Sequence, residues 1–351
     1  MTFYNELQLS AQGSKNLIRN TTDKKEKRRH ILIYNLKVYL VVAFCFLFVS
    51  LLSMAIGADN SIVAVVILLS ILVLRQADFG IRTSHGVLVI FILFGIMTFG
   101  SRLTNILPPV PAFFINLICI FGILMFGCHN VIMYNQSTFV LCYLLLQGYD
   151  VSGKAYEERV VAMMLGMIVC AVIFYAKHRT QHMKRTFPDL FREFDFNSTR
   201  TRWYFRLTFG VSSAMLIVSL LQLPRAMWAG IAVMSVMAPF SADCTFRTKR
   251  RGPFNIIGCF VFAILYKILP PQLAPYIGLI GGIGTGYSTT YGWQTLFNTF
   301  GALSIAVGLF GLKGAILLRI GMNVFGSLYG FAINFICDKL KLNIGVRETA
   351  S

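Results

Sequence analysis

At 351 residues the chain has the length of two or three soluble domains, but 56% apolar and 13% charged residues is not a soluble composition. The apolar residues lie in long runs almost free of charge, each near the roughly 20 residues that cross a hydrocarbon core, so the chain reads as a polytopic membrane protein. The net charge of +18 would suit nucleic acid only if a basic face stood clear of the membrane, and none does.

Residues 1–30 form a polar tail ending in the basic cluster Lys24-Lys25-Glu26-Lys27-Arg28-Arg29, which sets topology and can touch anionic lipid. A first membrane half (31–177) and a second (203–338) follow, joined by a cytoplasmic linker (178–202) and closed by a short tail (339–351). Twelve apolar segments fit: about 38–57, 61–75, 86–100, 105–127, 136–148, 159–176, 205–223, 226–240, 253–269, 273–289, 292–312 and 315–336. With the N-terminus inside, 25 of the 32 Lys and Arg fall on one face, which places both termini in the cytoplasm of a cell-membrane protein. The expected fold class is all-α, about twelve transmembrane helices in two parallel six-helix repeats.

The repeat is read from ordered matches. Ala77-Asp78, three residues, Arg82-Thr83 recurs as Ala242-Asp243, three residues, Arg247-Thr248, at an offset of 165. Ile106-Leu107-Pro108-Pro109 recurs as Ile268-Leu269-Pro270-Pro271, and Arg159 with Gly166 recurs as Arg319 with Gly326. Offsets that shrink from 165 to 160 describe two collinear copies. An even number of spans per copy makes them parallel, related by an axis along the membrane normal that could enclose a path.

The repeated charges are the candidate site. Were the turns helical, Asp78 with Arg82 and Asp243 with Arg247 would stand one turn apart at the inner mouth of such a path, either as local ion pairs or as a ring that draws anions. Arg159 and Arg319 each open the last span of a copy, where a charge either snorkels outward or faces a wet cavity. Gly278, Gly282 and Gly286, at a spacing of four, permit close helix contact. His178 and His182, at helical spacing in the linker, read as a solvated face. The 8 cysteines contain no C-x-x-C pair, and no metal set, catalytic triad or carboxylate pair is visible, so neither enzyme activity nor a cofactor is expected.

Trp228 to Gly258 begins with a tryptophan-led apolar helix that ends near Pro239. A polar turn follows, then a helix start bearing Arg247, with Gly252 and Gly258 behind it. This stretch resembles the fusaric-acid-resistance membrane proteins, a group that includes aromatic acid exporters. The resemblance implies export of small organic, in part aromatic, carboxylate anions. Arg82 and Arg247 would attract the carboxylate at the inner mouth, Arg159 and Arg319 would line the outer part, and Trp228 would hold an aromatic ring. Asp78 or Asp243 could carry a coupled proton. The expected partners are thus a small organic anion and membrane lipid, with no nucleic acid. A passive anion channel and a non-transporting membrane scaffold are the alternatives. Larger exporters of the group carry a sizeable domain between their halves, where this chain has about 25 linker residues.

Overall fold

The computed structural model describes residues 2–181 and 183–340. Among these every regular element is helical. In hydrocarbon a backbone must bond its own N–H and C=O groups, and a helix does so within one segment. The helices are α1 (Phe3–Leu7), α2 (Ala11–Asn20), α3 (Lys24–Ile56), α4 (Ser61–Leu74), α5 (Thr83–Gly95), α6 (Ser101–Ile106), α7 (Pro109–Gly127) and α8 (Gln136–Gly148). After them come α9 (Lys154–His178), α10 (Asp189–Arg192), α11 (Thr199–Leu220), α12 (Ala226–Val236), α13 (Ser241–Ile268), α14 (Ile277–Tyr287) and α15 (Tyr291–Leu340).

Each expected apolar segment overlaps one of these helices. Seven rods are long and apolar enough to cross a membrane: Lys24–Ile56, Thr83–Ile106, Pro109–Gly127, Lys154–His178, Thr199–Leu220, Ala242–Ile268 and Tyr291–Leu340. Thr83–Ile106 joins α5 to α6 through a π-helical turn at Ile96–Gly100. α15 is two helices meeting at Gly311, whose φ of 65° breaks the helix and suits glycine. Where about twelve full crossings were expected, four helices are short: α4 has 14 residues, α8 13, and α12 and α14 11 each. At ~1.5 Å per residue the shortest rise ~16 Å, about half of a ~30 Å core. Both Ile-Leu-Pro-Pro copies sit at helix ends, because Pro-Pro cannot continue a helix: α6 stops at Ile106 and α13 at Ile268.

The chain divides into two compact units that do not follow its two halves. One comprises Met1–Ser50 with Lys249–Gly321, the other Leu51–Thr248 with Met322–Ser351. In the first unit the tail is folded: α1 and α2 lie back on α3, through His30 Nδ1 at 2.6 Å from Glu6 and Lys37 Nζ donating to Leu9 C=O and Ser14 Oγ. The basic cluster forms the first turns of α3. Of the glycine stripe in α14, Gly282 and Gly286 face Val42 and Val38 of α3, while Gly278 faces Ser304 of α15.

In the second unit the tilted rings of Phe139 and Phe174 pack on Phe79 in the core, and Trp203 Nε1 donates to Met237 C=O at 2.9 Å. The glycines seven residues past the paired arginines pack alike. Gly166 of α9 meets Ile67 of α4, and Gly326 of α15 meets Ala229 and Ala232 of α12. A Cβ on Gly326 would stand 2.5 Å from the Ala229 carbonyl oxygen, which is backbone and cannot turn aside. We expect Gly326→Leu to destabilise the unit by at least the ~1–3 kcal/mol of an overpacked core. Gly301→Ala, with open space around it, should be neutral, and thermal unfolding in detergent reads both.

Candidate functional site

The two repeated Asp–Arg turns both belong to the second unit, and their backbones differ. Asp243 and Arg247 lie in the first turns of α13 and are one helical turn apart, as expected. Asp78 and Arg82 lie in an irregular turn, with Gly80 at φ +72° and Arg82 extended at the start of α5. The buried Asp78 spends its carboxylate on Gly80 N–H at 2.8 Å and Asn130 Nδ2 at 3.3 Å, and Arg82 is exposed.

One loop, residues 128–135, touches both turns. Asn130 and Asn135 hold the Asp78 side, with Asn135 Nδ2 also donating to Gly127 C=O. Tyr134, in the left-handed region at φ 51°, donates its hydroxyl to Asp243 at 3.0 Å while the Arg247 guanidinium lies 5.1 Å over its ring. Burial and the Asp243 hydrogen bond push the Tyr134 phenol above its ordinary pKa. Arg247 Nη1 also donates to Ser235 C=O. An αL tyrosine is strained, so its surroundings must hold it there.

The linker is strapped onto this end of the unit. Arg82 N–H donates to Arg185 C=O, Phe187 N–H to His85 Nδ1, and Phe187 stacks on Phe126. His178, expected in a solvated face, is buried with Nε2 at 2.9 Å from Leu74 C=O, because α9 carries it down against α4; His182 lies outside the described residues. His129 is buried between Arg200 Nη1 at 3.2 Å and Glu193 at 3.2 Å. Burial first, then Arg200, lowers its pKa from 6.5 to about 4, against the pull of Glu193.

A second polar feature was not picked out from the sequence. Arg206 of α11 is buried, and its Nη1 donates to Asn334 Oδ1 at 3.0 Å and Asp338 Oδ1 at 2.9 Å on α15. Asn323, Ser327, Asn334 and Asp338 recur at four and seven, one face of that helix. On the facing side of α11 stands Ser213, seven residues beyond Arg206, and Tyr329 donates to it at 2.9 Å. The Ser327 hydroxyl and Arg206 Nε are buried and lack a hydrogen-bond partner among the described residues. A polar seam thus runs from a cation into apolar spans.

The other expected residues are enclosed. Arg159, 1% exposed, donates from Nε to Asn60, from Nη1 to Leu146 C=O and from Nη2 to Tyr149 C=O. Arg319 is buried in the first unit, and Trp228 is 2% exposed within α12. Among the described residues no cluster of His, Cys, Asp or Glu could hold a metal.

Long apolar helices with charges held inside them define a multi-span membrane protein. Residues 213–333, roughly a third of the chain, match the fusaric acid resistance protein-like family, which bears out the resemblance read at Trp228 to Gly258. No curated protein and no solved structure matches the chain. The matched segment covers α12, α13 and, of the seam, Ser213, Asn323, Ser327 and Tyr329.

The unfolded His129 ring takes a proton near pH 6.5 and the folded one only near 4, so between these values the unfolded chain binds more protons. Stability contributed by the neutral ring is present above about pH 6.5 and is lost as pH falls toward about 4. Thermal midpoints measured from pH 7 to 4 should fall across that window, and His129→Gln should flatten the fall.

Proposed function

We propose that this chain is a multi-pass cell-membrane transporter, both termini cytoplasmic, that exports small organic carboxylates, aromatic ones among them. The observation that carries the reading is the buried seam between α11 and α15. A polar group inside a span is costly unless it has a partner or lines a wet path, and this seam keeps the Ser327 hydroxyl and one guanidinium N–H of Arg206 in reserve. Arg247 with Tyr134 forms the inner mouth, where a cation beside an aromatic ring suits an aromatic acid. Arg206 is the cation met next, and an arriving carboxylate competes with Asp338 for it. Arg159 and Arg319 serve as buried anchors in this reading, and Arg82 adds exposed positive charge beside the mouth.

Energised inverted membrane vesicles test this with a panel of labelled aromatic and aliphatic acids. Wild type should accumulate at least one acid. Arg206→Gln at matched expression should lower uptake by about tenfold or more, since a hydrogen bond to a charged group contributes ~1.5–3 kcal/mol. The Arg82→Gln/Arg247→Gln double variant should raise the half-saturating concentration more than it lowers the maximal rate. Flux that only dissipates a gradient would replace the exporter with a passive channel. Absence of any flux across the panel would overturn the transport reading.

A further inference from the structure

The first turns of α3 carry a charge cluster that the transport reading does not use. Lys24, Lys25, Arg28 and Arg29 recur at i, i+1, i+4 and i+5, so they share one side of the helix. All four are exposed, and none makes an ion pair among the described residues. The nearest carboxylates on this helix end are Asp23, which caps the Glu26 N–H at 3.0 Å, and Glu26 itself. Like charges this close repel one another, and the N-terminal dipole of α3 adds to the positive field.

These residues line an open cleft of about 640 Å³ whose remaining wall is apolar: Phe3 from α1, the buried Ile33, and Leu32, 68% exposed, one turn beyond Arg28. That volume falls within the ~300–1,000 Å³ of small-ligand pockets. The Phe3 wall is fixed, because α1 is tied to α3 by Glu6 with His30 at 2.6 Å, and the following segment by Lys37 to Leu9 and Ser14. Basic above and apolar below, on a helix that continues into a hydropathic span, is the profile of a membrane interface.

We propose that this cleft binds the phosphate headgroup of an anionic phospholipid. Lys24, Lys25, Arg28 and Arg29 hold the phosphate oxygens, and Phe3 and Leu32 lie along the start of an acyl chain. With the N-terminus inside, the cleft meets the cytoplasmic leaflet, whose surface is negative.

The full chain in nanodiscs of phosphatidylcholine with increasing phosphatidylglycerol tests this, with retained lipid counted by native mass spectrometry. Wild type should retain phosphatidylglycerol over phosphatidylcholine by at least about tenfold, as several cations at ~1 kcal/mol each imply. Arg28→Gln/Arg29→Gln should lose that preference, and so should Phe3→Ala, which leaves every charge in place. Equal retention of the two lipids would overturn the proposal. So would a preference that survives Phe3→Ala, which would mean diffuse surface attraction without a cleft. Inorganic phosphate alone raising the melting midpoint as much as phosphatidylglycerol does would reassign the cleft to free phosphate and discard the lipid.

Discussion

A helix that ends inside an apolar bundle leaves its last carbonyls with no water to bond, and each such group in hydrocarbon costs several kcal/mol. α8, only 13 residues long, meets a milder form of this problem, since Gly148 and Tyr149 at its end are half-buried and Asp150 is exposed. Arginines from three elements settle its end: Arg159 bonds Leu146 and Tyr149, Arg225 bonds Gly148 at 2.9 Å, and Arg102 pairs with Asp150. Asn105 closes Gln147 at 2.9 Å. Cations at a C-terminus also meet the negative end of the helix dipole. Because α4, α6, α7 and α12 all pack on α8, the placement of this short helix governs the second unit.

That constraint separates two kinds of buried arginine. Each Arg159 nitrogen already donates, two of them to backbone that cannot leave, so an arriving anion would have to displace a helix cap. Arg206 is buried to a similar degree yet bonds side chains, Asn334 and Asp338, and keeps its Nε. Side chains rotate where a carbonyl in a helix cannot. Burial alone therefore does not tell the two apart; the exchangeability of their partners does.

The apolar segments were legible because a run of apolar residues states its own requirement for a helix and a lipid neighbour. Their lengths were less so. α11 begins at Thr199 and α15 runs on to Leu340, several residues past the apolar runs at 205–223 and 315–336, so Arg206 and Asp338 both lie near the ends of long helices. Their pairing joins residues 132 positions apart, and no local pattern announces it. His178 was misplaced for the same reason, since α9 outlasts its apolar stretch. The role of residues 128–135 was invisible: a polar loop between two spans looks alike whether it is free or holds two turns.

The repeated Asp–Arg motif shows what a shared sequence does and does not carry. In one copy Gly80 supplies a positive φ, the chain stays extended, and Asp78 Oδ1 accepts from both Gly80 N–H and Asn130. In the other copy the same spacing winds into α13, and Asp243 and Arg247 remain half-buried against Tyr134. A carboxylate committed to its own turn serves as a bracket. One that faces a tyrosine and an arginine at the edge of solvent can still change partners. The 128–135 loop grips the first turn through Asn130 and Asn135 and presents Tyr134 to the Asp243–Arg247 pair, so one turn helps to fix the tyrosine that the other contacts.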